Sequence, residues 1–212
     1  AGDRAFCTGG DQSAHSGNYD GRGTIGLPME ELHTAIRDVP KPVIARVQGA
    51  ALGGGMGLCA VADLVVAESG ARFGFTETRL GILPAVISPF VIAKIGESQA
   101  RALFPGGRRF DATRAARIGL VHEIVEGEAA LDAAVDTAVA DLLASGPTAA
   151  RLAKAVVREV RRLAREAGTD IDHCELIGLA PTEALLEVAA DTLGIADFSA
   201  DQALELRLAK DR

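Results

Sequence analysis

Lys41-Pro42-Val43-Ile44-Ala45-Arg46-Val47-Gln48-Gly49-Ala50-Ala51-Leu52-Gly53-Gly54-Gly55-Met56-Gly57 is the stretch on which the fold turns. Residues 43–47 are rich in β-branched side chains and bounded by Pro42 and Gly49, the composition of a strand. Three consecutive glycines follow, and residues 53–62 read as a helix. The stretch therefore predicts a strand feeding a helix through a glycine turn. Such a turn leaves backbone N–H groups without partners at the positive end of the helix. It also lets a ligand approach with no Cβ in the way, and it can hold a developing negative charge. Close packing of the helix on the strand would equally require glycines, and these residues alone do not separate the two uses. The spacing matches neither the dinucleotide-binding nor the phosphate-loop pattern, so a nucleotide fold is not expected.

Working outward, residues 30–39 read as a helix stopped by Pro40 and Pro42. Residues 12–29, rich in Gly, Ser, Asn and Asp, read as a loop. Ahead of it, Gly2-Asp3-Arg4-Ala5-Phe6 looks like the end of a strand whose start is missing. With no Met at Ala1, the chain reads as a fragment. Downstream, residues 64–67 and 72–75 are short strands. Ser88 and Pro89 signal a helix over 89–95 that stops at Gly96, followed by a short helix over 98–104. Asp111 caps a helix through Arg117 closed by Gly119, residues 120–125 form a strand, and residues 131–144 and 148–167 form long amphipathic helices. From Pro181 the chain reads mostly helical, with a break at Gly194. Strand and helix alternate in the first half and helix dominates the second. That is an α/β layout, a core over residues 1–145 with a helical C-terminal region over 146–212.

The 212 residues are 48% hydrophobic and 24% charged, as in a soluble globular protein. Aromatics make up only 4%, with no Trp, so Ala, Val, Leu and Ile are expected to fill the core. A net charge of −7 argues against nucleic-acid binding, and the basic run from Arg158 to Arg165 reads as a solvated helix face. Cys7, Cys59 and Cys174 are too few and too scattered for a disulfide framework, and an odd count suits a reducing compartment, so a cytoplasmic protein is expected. His15, His33, His122 and His173 are isolated from one another and no cysteine pair has ligand spacing, so no metal site is expected. The most apolar stretch, residues 42–67, carries Arg46, Gln48, Asp63 and many glycines and does not read as a membrane span.

Two further features bear on chemistry. Thr8-Gly9-Gly10-Asp11 follows the first strand end and by itself is a turn. Glu77 follows a short strand, where a carboxylate in an apolar pocket has a raised pKa and can move protons. An exposed glutamate paired with Arg79 fits the same residues.

Taken together, Ala5-Phe6-Cys7-Thr8-Gly9-Gly10-Asp11 and the stretch from Lys41 to Gly55 resemble the core of the crotonase (enoyl-CoA hydratase/isomerase) superfamily. The likeness continues through Cys59-Ala60-Val61-Ala62-Asp63, Phe73-Gly74-Phe75-Thr76-Glu77, Phe110-Asp111-Ala112 and Ile118-Gly119-Leu120-Val121. It covers roughly residues 1–155. The resemblance implies a spiral of ββα units with a helical tail that makes trimer contacts, and chemistry through the enolate of an acyl-CoA thioester. It assigns the two N–H groups that hold the thioester oxygen to Gly10 and Gly54, and it makes Glu77 one of the two glutamates that hydratases use to add water. Cys7, Gly9, Asp11, Leu52, Gly57, Thr76 and Pro84 fall at substrate-binding positions. No metal or redox cofactor is implied, since coenzyme A is carried by the substrate. The expected assembly is a homotrimer or a dimer of trimers.

The chain also departs from that pattern. The second hydratase glutamate is replaced by Gly57. Residues 41–155 are most similar to methylglutaconyl-CoA and related branched enoyl-CoA hydratases. Residues 1–40, with Gly17-Asn18-Tyr19-Asp20-Gly21-Arg22-Gly23, resemble 2-ketocyclohexanecarboxyl-CoA hydrolase and naphthoate synthase. Tyr19, a second polar group for the pocket or a residue of a surface loop, belongs to that front segment. The C-terminal aromatic-Glu-Lys-Arg pattern is missing from residues 204–212. The leading expectation is a lyase that hydrates a 2-enoyl-CoA. The alternatives are an enoyl-CoA isomerase, a ring-opening 2-ketoacyl-CoA hydrolase, and an inactive CoA-binding fragment.

Overall fold

A computed structural model of the chain describes residues 4–10 and 28–166. The first helix, α1 (Met29–Asp38), carries Glu30 and Glu31 in its first turn and Arg37 in its last, the charge order that suits the helix dipole. Strands β1 (Ile44–Val47) and β2 (Ala50–Leu52) lead into α2 (Gly54–Val61). Strands β3 (Leu64–Glu68) and β4 (Arg72–Gly74) lead through a 3₁₀ turn, Thr76–Leu80, into α3 (Ser88–Leu103). Then come β5 (Arg109–Asp111), α4 (Ala112–Arg117), β6 (Glu123–Val125), α5 (Glu128–Ala144) and α6 (Pro147–Glu166).

The strands sort into two three-stranded sheets, ordered β1-β3-β6 and β2-β4-β5. In the first, all pairs are parallel, with Ile44 beside Leu64 and Val66 beside Glu123. In the second, β2 and β4 are parallel with Ala51 beside Phe73, while β5 runs antiparallel with Phe110 beside Phe73. Each strand pair thus sends its first strand to one sheet and its second to the other before the chain turns into a helix, which is the expected ββα repeat. Residues 5–7 extend the second sheet past β2. Cys7 bridges Ala51 in parallel, with Phe6 N–H donating to Gln48 O (3.0 Å), Cys7 N–H to Ala50 O (3.1 Å) and Leu52 N–H to Cys7 O (2.9 Å).

Several sequence expectations are refined. Residues 43–52 are two strands in different sheets, because Gly49 takes φ 65° and turns the chain between them. β5 was not foreseen, since Arg-Phe-Asp alone carries no strand pattern. β6 begins at Glu123 rather than Leu120. Val65 N–H there donates to the His122 ring at Nδ1 (2.8 Å), so a side chain stands in for a ladder carbonyl. Ser88 is not a cap. Its hydroxyl donates to Ala85 O (2.9 Å) and Ile87 precedes the helix. Gly96, with φ 78° and ψ 159°, does interrupt α3. Asp111 does cap α4, accepting from Arg114 N–H at 2.8 Å.

The core gathers Val47, Ala51, Met56, Cys59, Val65, Val91 and Leu120 around two buried phenylalanines, Phe73 and Phe75. Phe75 meets Phe104 edge-on at 4.8 Å. The few aromatics are therefore concentrated at the centre, which composition did not reveal. The chain divides into two compact units, residues 1–141 and 142–212. In the second, Arg158, Arg161 and Arg162 are exposed as expected, with Arg162 donating to Glu159 at 2.9 Å. Among the described residues, no helix is long and apolar enough to cross a membrane.

Candidate active site

Three pieces of chain meet at the start of α2. Gly53 takes φ 54° and ψ −121°, a conformation that L side chains rarely adopt. Its N–H donates to Gly74 O at 3.0 Å. The Gly54 N–H, at the positive end of α2, has no acceptor among the described residues. The turn at Gly9 and Gly10 lies directly against it. A Cβ built on Gly9 would stand 3.6 Å from Gly54 N and 3.5 Å from Leu52 O. A Cβ on Gly10 would meet nothing within 4 Å. The Gly10 N–H likewise finds no acceptor among the described residues. Two backbone donors without acceptors among the described residues thus stand on the adjoining turns at Gly9–Gly10 and Gly53–Gly54.

The third piece is Glu77. Phe75, buried in the core, anchors the end of β4. The 3₁₀ turn that follows is pinned by Thr78 Oγ1 donating to Phe104 O at 3.0 Å and closed by Gly81. This geometry aims the carboxylate at the glycines: a Cβ on Gly53 would lie 3.6 Å from Glu77 Oε1. Glu77 Oε2 is buried without a hydrogen-bond partner, and among the described residues Glu77 makes no ion pair with Arg79. Burial raises the Glu77 carboxyl above its ordinary value, and a backbone hydrogen bond within the residue partly opposes the shift. A carboxyl in that condition can carry a proton to a neighbour.

One turn further along α2, Gly57 is buried against His33 of α1 and Ile87. His33 is fully buried. Its Nδ1 lies 2.6 Å from Met29 O, its ring stacks on Phe90 at 5.6 Å between centroids, and its Nε2 is buried without a partner among the described residues.

The structure therefore brings Cys7, Gly9, Gly10, Leu52, Gly54 and Glu77 into one neighbourhood. The Cys7 carbonyl accepts from Leu52 N–H and its backbone abuts Gly55. Thr76 opens the 3₁₀ turn next to Glu77. Pro84 is buried and its carbonyl accepts from Ser88 N–H (3.0 Å), which places it at the start of α3. Asp11 and Tyr19 lie outside the described residues. Sequence reasoning passed over Met29 and His33, although a signal existed: Met29, His33 and Ile36 recur at i, i+4 and i+7, which puts the imidazole on the apolar side of α1. Met29 Cε would be 3.4 Å from a Cβ on Gly54. Among the described residues, no group of three His, Cys, Asp or Glu side chains could hold a metal ion.

Two amide donors beside a carboxyl of raised pKa form a site that can stabilise an oxyanion and move a proton next to it. Comparison with known proteins gives the family. The enoyl-CoA hydratase/isomerase family matches residues 1–177. A curated Thermus thermophilus protein whose name includes enoyl-CoA hydratase is 35% identical over 143 residues, 67% of this chain and 56% of the relative's length. This chain thus spans little more than half of that relative. An enoyl-CoA hydratase/isomerase structure from Marinobacter aquaeolei is 31% identical, with a TM-score of 0.72 over 99% of this chain and 77% of that one. An enoyl-CoA hydratase structure from Bacillus anthracis is 26% identical, with a TM-score of 0.74 over 100% of this chain and 76% of that one. The fold is the crotonase-like α/β fold, and the family acts on acyl-CoA thioesters. The chain belongs to the enoyl-CoA hydratase/isomerase (crotonase) family.

Proposed function

We propose that this chain hydrates a 2-enoyl-CoA thioester, with the Gly10 and Gly54 N–H groups holding the thioester oxygen and Glu77 moving a proton at the neighbouring carbon. The observation that carries the reading is the Glu77 carboxylate standing against Gly53, with one oxygen buried and unpaired. Negative charge developing on the thioester oxygen would meet two fixed donors. A carboxyl whose pKa is raised by burial holds its proton more readily and could then deliver it to carbon. The reading uses no metal or redox cofactor, because coenzyme A arrives as part of the substrate. It extends to a cytoplasmic enzyme assembled as a homotrimer or a dimer of trimers, which sedimentation would test.

The activity test follows the loss of the conjugated-thioester absorbance of crotonyl-CoA. Glu77→Gln is expected to lower turnover by about 10²–10⁴-fold. Gly54→Pro removes one donor at the first helical residue, where proline is tolerated, and is expected to cost about 10²–10³-fold. A folded parent chain that leaves the absorbance unchanged overturns the reading.

One observation favours a second reading. Glu77 is the one carboxylate placed at the glycine turns among the described residues, and a double-bond isomerase needs only one to shuttle a proton. Supplying a 3-enoyl-CoA separates the two: an isomerase forms the conjugated 2-enoyl product without consuming it.

A further inference from the structure

Adding water to a conjugated thioester requires two proton movements. One proton leaves the water as its oxygen bonds to C3, and one reaches C2 as the enolate collapses. Glu77 accounts for one of them. In the first compact unit, two side-chain polar atoms among the described residues are buried without a hydrogen-bond partner: Glu77 Oε2 and His33 Nε2. Both belong to side chains packed on the first turns of α2, Glu77 against Gly53 and His33 against Gly57. Gly53 immediately precedes α2 and Gly57 lies one turn into it. Between Gly53 and Gly57 in the chain, the Gly54 N–H has no acceptor among the described residues.

The imidazole is held in one orientation. A carbonyl oxygen only accepts, so Nδ1, 2.6 Å from Met29 O, is the protonated nitrogen. The tautomer with its proton on Nδ1 leaves Nε2 as a bare lone pair. Phe90 stacks on one side of the ring, and the ring fits only because residue 57 has no side chain, since a Cβ there would run into Nε2. Packing alone has no use for that atom, because an apolar side chain of similar size would fill the same space without burying an unmatched acceptor.

We propose that His33 Nε2 is the base that activates water in this site, with Glu77 as the acid, a deepening that rests on the hydratase reading above. The water O–H bond breaks and its proton goes to Nε2. The oxygen bonds to C3, and the C2–C3 π pair moves into the enolate held by Gly10 and Gly54. The Glu77 O–H proton then passes to C2 as the thioester carbonyl reforms. Imidazolium and carboxylate are reset by return of the proton from Nε2 to Glu77, directly or through solvent, so no outside reagent is consumed.

The test compares the parent chain with His33→Asn, which can still donate to Met29 O but has no basic atom, and with His33→Gln as a second variant of similar bulk. Two rates are read: hydration of crotonyl-CoA, and exchange of the C2 hydrogens of saturated butyryl-CoA in deuterated water. The second needs the oxyanion donors and Glu77 in its carboxylate form, which takes the C2 proton and returns a deuteron, but no water addition. Circular dichroism of each variant checks the fold. The expected result is a fall in hydration kcat on the order of 100-fold or more in both variants, with KM changed only a few-fold and C2 exchange within about threefold of the parent. Hydration retained in either folded variant overturns the proposal, and so does a parallel fall in hydration and exchange, which would mark His33 as a packing residue. A parent chain that exchanges but does not hydrate removes both the hydratase reading and the role of His33 while leaving the donors and Glu77. A parent that does neither removes the site itself.

Discussion

His33 and Gly57 share one volume: a Cβ on Gly57 would lie 2.9 Å from His33 Cδ2 and 2.5 Å from Ile87 Cγ2. The imidazole of α1 is seated where a side chain of α2 would otherwise project. Overpacking a buried site of this kind costs about 1–3 kcal/mol. Gly57→Ala is expected to destabilise the chain by that amount, and His33→Ala should relieve part of the loss in the double variant. A double-mutant cycle in urea reads the coupling. Simple additivity would mean the ring moves aside freely.

Adjacent positions in the glycine run differ in what surrounds them. A Cβ on Gly55 would meet the Cys7 backbone, with Cys7 C at 3.0 Å, whereas a Cβ on Gly54 would meet the flexible end of Met29 at 3.4 Å. Gly55→Ala is expected to cost about 1–3 kcal/mol and to weaken the pairing of residues 5–7 with β2. Gly54→Ala should stay within about 1 kcal/mol. Urea midpoints of the two variants decide it, and equal midpoints would contradict the contact.

Glu77 predicts a pH dependence of stability. Its folded pKa lies above the ordinary 4.5 because burial disfavours the charge. The folded chain therefore binds more protons than the unfolded one between those two values. The contribution of Glu77 is favourable below the ordinary value and is lost as the pH rises through the raised one. Glu77→Gln should accordingly raise the melting temperature at pH 7–8 relative to the parent, by about 2–4 °C for each kcal/mol recovered. The difference should shrink toward pH 4. A gain that grows on acidification would contradict the assignment.

Cys59 is fully buried, and burial pushes its thiol up to about 12. Only the thiolate reacts with alkylating reagents. Under native conditions at pH 8, iodoacetamide should leave Cys59 unmodified while Cys7, half-buried, takes the label. Both should react once the chain is unfolded. Peptide mass mapping reads the outcome, and native labelling of Cys59 would show that α2 opens.

Much of this was legible because the informative residues act locally. Pro42, Gly96, Asp111 and Gly119 each impose a start, stop or cap on their own neighbours, and the structure has a boundary at each. The glycine run at 53–55 fitted ligand approach and close packing equally, and the turn at Gly9 and Gly10 gained a role only through the family resemblance. What could not be read was pairing at a distance. Gly49 redirects the chain between two sheets, yet its left-handed φ depends on which strands are available on either side. β5 exists because Arg72–Gly74 offers an edge, not because Arg109–Asp111 favours extension. His33 looked like one of four scattered histidines, since nothing in α1 alone says that the surface facing it lacks a side chain at residue 57. Burial of Glu77 without an Arg79 partner was likewise settled only by the tertiary fold.

The glycine run at positions 53–55 has a consequence for how the chain can vary. Gly53 is fixed by its backbone angles and by the Glu77 carboxylate beside it, Gly55 by the carbonyl of Cys7, and Gly54 most closely by the methyl tip of Met29, with the Gly9 Cα at ordinary contact distance. Three identical letters therefore answer to three separate neighbours. Drift at the middle letter can be matched by a shorter side chain at residue 29, whereas the outer two answer to main chain and to the acid itself. Relatives that keep this architecture should differ at the centre of the triplet before they differ at its ends.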